Sequence, residues 1–200
     1  MPPSNVHTLA ESLAGTFPAC DDAPLARELL RELAQGKPIA IPSLDERARA
    51  AVERWPNVES DDQGRIVAFG GLSLTPTPHR FTVGGRALYT WCAWDTLFLP
   101  TMLDQSATVE SRCPITATDV RLSIGPRGIV DAHPTDVRVS FPPTATTSTA
   151  DITGTFCCHV HFLAGPAAGE QWLNQHRGGV VLELDDAYEL GRLATCCFTA

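Results

Sequence analysis

RALYTWCAWDTLFLP, residues 86–100, is the stretch from which the rest of this chain can be read. It is apolar almost throughout, yet it holds a thiol and a carboxyl three positions apart, Cys92 and Asp95. With a helix running from Trp91 onward, residues three apart share one face, one turn above the other. Cys92 would then sit in the first turn, where the positive end of the helix favours a thiolate. Asp95, set among Trp91, Trp94 and Phe98, would be poorly solvated and hold its proton above the usual carboxyl range. A nucleophilic sulfur beside a proton-carrying carboxyl is a chemical pair. The same residues also fit a buried, inert cysteine in an apolar helix with the aspartate turned to water.

Upstream, hydrophobic periodicity predicts helices over 6–17, 24–35 and 44–55. Val6, Leu9, Leu13 and Phe17 share one face of the first. Pro24 suits the first position of the second, and Gly36 with Pro38 a stop. Ser43 and Glu46 have the spacing of a capping box for the third. After the turn Asp61-Asp62-Gln63-Gly64, strands are expected over 65–74 and 80–83, joined near Pro76 and Pro78. Helices followed by a hairpin suggest a winged-helix-like module. Its third helix sets Asp45, Glu46 and Glu53 against Arg47, Arg49 and Arg54, a mixed-sign face that suits a structural or interaction role better than DNA reading.

Downstream, short strands are expected at 108–112, 120–123, 129–131, 137–141, 156–163 and 180–184, and helices over 170–176 and 185–195, with Trp172 facing inward. The Pro- and Thr-rich run PPTATTSTADITGT, 142–155, reads as a surface loop. The class is α+β: an N-terminal helical winged-helix-like module over 1–83, then a mainly antiparallel β-sheet core with flanking helices over 84–200.

With 200 residues the chain can bury a real core. Its formal net charge of -8 gives no basic field to draw nucleic acid or an acidic membrane. No apolar run reaches the length of a membrane span. MPPSNVHTLAESLAGTF lacks the basic and long apolar regions of a signal peptide, so a cytoplasmic location is expected. There the seven cysteines should be thiols or metal ligands rather than disulfides.

FCCHVHFL, 156–163, carries the second set of reactive side chains. On a strand, Phe156, Cys158, Val160 and Phe162 would share an apolar face, and Cys157, His159 and His161 the other. Cys157 would then face a site and Cys158 the core, both as free thiols, since a vicinal disulfide is strained in extended chain. Three readings stay open. Cys92 and Cys157 could be paired soft ligands with Asp95 supplying a proton. Cys157, His159 and His161, with Cys113, could bind zinc, although the spacing is not a usual zinc pattern. Or the histidines are ordinary half-buried side chains.

WCAWD at 91–95, a lone Cys113, and FCCHVHF at 156–162 together resemble the organomercurial (alkylmercury) lyases of bacterial mercury resistance, over about residues 24–190. The resemblance implies that Cys92, Asp95 and Cys157 are catalytic and that Cys113 is structural. It implies that Cys92 and Cys157 hold mercury, with Asp95 a further candidate ligand. Some relatives carry Ser at the aspartate position; this chain keeps Asp95. The segment 36–64 looks shorter than is usual there, and the tail pair Cys196-Cys197 matches no motif of the family.

The implied reaction breaks a carbon–mercury bond, giving a hydrocarbon and mercury(II) on two sulfurs. Trp91, Trp94 and Phe98 would form the substrate pocket, and no organic cofactor is required. Expected partners are an organomercurial, cellular thiols and a mercuric reductase, with neither nucleic acid nor membrane. A flexible Cys196-Cys197 tail could draw the ion out. A thiol-based metal sensor or metallochaperone, or a zinc-stabilised structural protein, would use the cysteines without needing Asp95.

Overall fold

The computed structural model describes residues 4–143, 147–148 and 151–198; parts of the expected 142–155 loop lie outside these. The N-terminal helices are α1 (Ser4–Leu13), α2 (Ala23–Leu33) and α3 (Glu46–Val52). The pattern that predicts them also sets their inner faces. Val6, Leu9 and Leu13 are buried on α1, and Ala26, Leu29, Leu30 and Leu33 on α2, where Pro24 occupies the first turn. The third helix starts later than expected and is capped differently. Asp45, not Ser43, is its N-cap, accepting the Ala48 N–H at 2.7 Å. Ser43 lies in a 3-10 turn, Ile41–Ser43, and its hydroxyl donates to the Ala40 carbonyl instead.

Nine strands form the main sheet: β1 (Ile39–Ala40), β2 (Val58–Ser60), β3 (Arg65–Phe69), β4 (Leu72–Ser73), β5 (His79–Val83), β6 (Arg86–Thr90), β7 (Ala107–Arg112), β8 (Asp119–Gly125) and β9 (Gly128–His133). Their order is β1-β3-β4-β6-β5-β7-β8-β9, with β2 also on β3, and every pairing is antiparallel. A smaller antiparallel sheet sets β10 (Arg138–Phe141) between β11 (Phe162–Leu163) and β12 (Val180–Glu183). The remaining helices are α4 (Asp95–Leu103), α5 (Ile152–Thr155), α6 (Pro166–Gln175) and α7 (Leu184–Ala194). The protein is thus α+β with a mainly antiparallel sheet, as expected. Residue 83/84, the expected domain division, falls in the β5–β6 hairpin, whose strands pair from His79↔Thr90 to Val83↔Arg86.

Two expected elements are corrected. The helix does not start at Trp91: 86–90 is β6, and α4 begins at Asp95, buried on nearly every side as a core helix. The end of the expected 142–155 loop forms α5, and the strand expected over 156–163 is replaced by a 3-10 turn Cys157–His159, with β11 only at its end. The cause is local capping. Asp151 accepts the Gly154 N–H at 2.9 Å, and the Thr155 hydroxyl donates to the Asp151 carbonyl. That starts a helical turn which the bonds Phe156 N–H to Ile152 and Val160 N–H to Cys157 continue.

The tail is also corrected. Cys196–Phe198 is a 3-10 turn, and Cys197 forms a disulfide with Cys20, Cα–Cα 5.1 Å. The expectation of thiols throughout and of a loose tail therefore fails at these positions. Phe198 is buried and packs on Phe17, which brings the chain end against the segment leading to α2. One hydrophobic core runs from Val6 to Phe198 through both expected domains.

Candidate active site

Two turns meet at the head of α4. At the end of β6 the Thr90 hydroxyl donates to the Cys92 carbonyl at 2.8 Å. The chain then bends, and the Asp95 carboxylate accepts the Cys92 N–H at 2.8 Å, reaching back across the helix start. The Ala93 N–H donates to the Val160 carbonyl at 3.2 Å, which ties this bend to the turn carrying Cys157. The result is a cluster in which the sulfurs of Cys92 and Cys157 and a carboxylate oxygen of Asp95 all lie within 4.8 Å of one another, all buried.

Gly71 makes room for this cluster. The Trp91 N–H donates to its carbonyl at 3.0 Å. A Cβ there would lie 2.7 Å from the Asp95 Cγ, and its φ is +91°. With Gly70 also at positive φ, the pair makes the two-residue turn at which the strand expected over 65–74 folds back into β3 and β4, Phe69 facing Leu72.

Burial dominates the acid–base state of the cluster. Asp95 is pushed up to about 7, mainly by burial, against the opposing effect of its bonds from Cys92. Burial also drives the Cys92 thiol well above its ordinary range, helped by Cys157 and by the Asp95 charge. At Cys157 the hydrogen bond with Cys92 favours the thiolate, but burial and Asp95 together outweigh it, and that thiol too is raised. Cys92 thus precedes the helix instead of lying in its first turn, and burial beside the Asp95 carboxyl favours its thiol form over the expected thiolate.

A narrow apolar cavity opens on the cluster, with about 20 Å³ of free space, on the order of one water. Its walls come from segments far apart in sequence: Thr16, Phe17 and Pro18 after α1, Pro56 and Asn57 after α3, Phe69 to Gly71, Trp91 and Trp94, and Ile152 and Phe156 beside Cys157. Trp91 and Trp94 line it as expected. Phe98 does not; it stands behind Trp94, edge to face at 5.0 Å. Trp94 is anchored by its indole N–H to the Ala187 carbonyl at 3.1 Å, which fixes α7 on this wall.

The other candidates separate from the cluster. Cys113 is buried in a second apolar group with Leu163, Ala168 and Trp172. Burial raises its thiol, but bonds from Thr116 and the Ala164 backbone outweigh this and hold it below its ordinary range. Cys158 is not in the core: it is exposed and donates to the Gly154 carbonyl at 3.1 Å, because the segment is helical and does not alternate. His161 lies beside His79, ring centroids 6.4 Å apart, and His159 beside His176 at 5.9 Å. Among the described residues neither joins Cys157 in a group of three ligands, so the zinc arrangement is not assembled. Sequence reasoning missed Gly71 and the Thr16–Pro18 and Pro56–Asn57 walls. The Gly-Gly pair inside a strand pattern was a signal for the first; nothing local marked the walls.

Two buried thiols and a buried carboxyl under an apolar cavity make a donor set suited to a soft metal, the signature of a cysteine-centred site. The comparisons narrow this. The alkylmercury lyase family model matches residues 72–195, and that of the helix-turn-helix domain of alkylmercury lyase matches 5–70. The alkylmercury lyase of Bacillus cereus is 42% identical over 176 residues, covering 84% of this chain and 79% of its own. That of Pseudomonas putida is 37% identical over 193 residues, covering 92% and 89%. That of Streptomyces lividans is 41% identical over 178 residues, covering 86% and 81%. A crystal structure described as the mercury-bound form of MerB2 shares the fold, with a TM-score of 0.77 at 20% identity over 98% of this chain and 100% of that one. The chain belongs to the alkylmercury lyase family and is an enzyme of that kind.

Proposed function

We propose that this enzyme cleaves the carbon–mercury bond of alkyl- and arylmercury compounds by protonolysis, with Cys92, Cys157 and Asp95 as its catalytic residues. The observation that carries this is the convergence of two sulfurs and one carboxyl within 4.8 Å in a buried site. Mercury(II) is soft and prefers sulfur, and each added thiolate pushes electron density toward the bonded carbon. A nearby acid can then protonate that carbon as its bond to mercury breaks.

One cysteine thiol displaces the substrate's original ligand, which leaves with the thiol proton. The second thiol bonds to mercury and passes its proton to the Asp95 carboxylate. Asp95 returns that proton to the carbon, releasing the hydrocarbon, and mercury(II) stays on Cys92 and Cys157. Asp95, pushed up to about 7, suits both halves of this transfer near neutral pH. Trp91 and Trp94 form the apolar wall for the organic group. No organic cofactor enters the scheme. We read the enzyme as cytoplasmic, with cellular thiols and a mercuric reductase taking the ion; among the described residues no helix is long and apolar enough to cross a membrane.

The test is incubation of the purified protein with phenylmercury and excess thiol, followed by analysis for benzene. Benzene from the wild type, and none from Cys92→Ser or Cys157→Ser, is expected. Mercury binding without benzene would instead identify a metal sensor or chaperone, which has no need of Asp95.

A further inference from the structure

A second pair of sulfurs meets outside the active site. Cys20 and Cys197 are 177 positions apart in sequence and 5.1 Å apart at Cα, joined here as a disulfide. Cys20 opens the 3-10 turn Cys20–Asp22 that leads into α2, and Cys197 lies in the turn after α7. Cys20 is exposed and Cys197 half-buried. With Ala23, Pro24, Arg27 and Arg31 they line a surface cleft of about 370 Å³.

The position of this pair gives it a consequence. Phe17, in the wall of the active-site cavity, is three residues before Cys20, so their Cα atoms are at most about 11 Å apart. Phe198, next to Cys197, packs its ring on Phe17 at 6.2 Å, and Phe17 packs on Trp94 at 6.2 Å. The pair therefore marks the outer end of a wall whose inner end faces Cys157. Two thiols held this close form a chelate for a soft cation.

We propose that Cys20 and Cys197, once reduced, form a second two-sulfur site that receives mercury(II) from Cys92 and Cys157. The transfer rests on the cleavage reading above; the binding does not. Two molecules of a small cellular thiol reduce the disulfide, giving two protein thiols and one small disulfide. Mercury then moves by stepwise ligand exchange. As Cys20 and Cys197 each form a sulfur–mercury bond, Cys92 and Cys157 each lose one, and the two protons pass to the departing thiolates. Nothing is oxidised or reduced in the exchange. In this scheme the tail acts through Cys197 together with Cys20.

The test is titration of the reduced protein with mercury(II) chloride under a modest excess of a monothiol, which strips single-sulfur sites. Bound mercury per chain is read by native mass spectrometry. Two ions are expected on the reduced wild type. One is expected on Cys20→Ser/Cys197→Ser and on Cys92→Ser/Cys157→Ser. One ion on the reduced wild type, or two on Cys20→Ser/Cys197→Ser, overturns the second site. With phenylmercury and no added thiol, the reduced wild type should release two equivalents of benzene and Cys20→Ser/Cys197→Ser one. Equal yields overturn the transfer. A wild type that yields no benzene but binds two ions refutes the cleavage reading and leaves the second site standing.

Discussion

At the scale of single residues, the proposed reaction turns on the protonation state of the two sulfurs. Both thiols are raised by burial or by Asp95, so a proton has to leave before the second sulfur can bind mercury. Asp95 in its carboxylate form is the group placed to take it. Single-turnover cleavage by the wild type should rise with pH through about 7, where Asp95 ionises, and Asp95→Asn should abolish it. Stability carries the opposite sign. The folded-state value is above the unfolded one, so the contribution is fully present below the unfolded value near 4 and is lost as pH rises through about 7. Urea midpoints at pH 5 and pH 8 should therefore differ less in Asp95→Asn than in the wild type. Gly71→Ala tests the space around the same carboxyl. Its Cβ would meet the Asp95 Cγ at 2.7 Å with φ at +91°, so a loss of about 1–3 kcal/mol is expected. Benzene formation should fall while mercury(II) still binds the two sulfurs; unchanged turnover would refute the close approach. The meeting of Cys92, Asp95 and Cys157 was legible from residue type and the family resemblance of their motifs. Gly71 acts by lacking a side chain, and its partner lies 24 positions away, which no local pattern records.

At the scale of elements, the site depends on which short-range bond starts each turn. FCCHVHF has the alternation of a strand, and on that pattern Cys157 and Cys158 would take opposite faces. The Asp151 cap starts a helical turn instead, and this buries Cys157 at the site while leaving Cys158 exposed. The placement of Cys157 was thus anticipated by an argument whose premise was wrong. Most helices and strands were legible from period and turn residues, because their buried faces follow the pattern. Boundaries set by competing caps, such as Asp45 over Ser43, were not, since both residues can cap. Asp151→Ala should lose about 1 kcal/mol of stability and also reduce cleavage, because the turn that aims Cys157 loses its first bond. Cys158→Ser should leave both nearly unchanged. Thermal melts and benzene yields on the two variants check this; a Cys158→Ser defect matching that of Cys157→Ser would reject the assignment.

At the scale of the whole molecule, the helical unit supplies part of the wall of the active-site cavity. Its family model ends at residue 70 and that of the lyase unit begins at 72, yet β1, β2 and β3 belong to the same sheet as β4 to β9. One core includes Leu30 of α2, Phe98 of α4 and Leu190 of α7. The net charge of -8 and the mixed-sign α3 offer duplex DNA little counterion release, so no salt-sensitive gel shift is expected at physiological salt. A sub-micromolar shift would revive a regulatory role. The cavity draws its walls from Thr16, Asn57, Trp91 and Ile152, so cleavage needs both units folded on each other. Shared sheet and shared core predict one cooperative transition. Tryptophan fluorescence reports on both units, since Trp55 stacks on Phe69 at 5.1 Å and Trp94 lies under α7. Its urea midpoint should coincide with the loss of far-ultraviolet dichroism and of benzene formation. A chain beginning at residue 72 would lack β1 to β3 and the Phe17 wall, and should show neither a sharp transition nor cleavage. Two separated transitions, or a truncated chain that still releases benzene, would mean that the units fold and act independently.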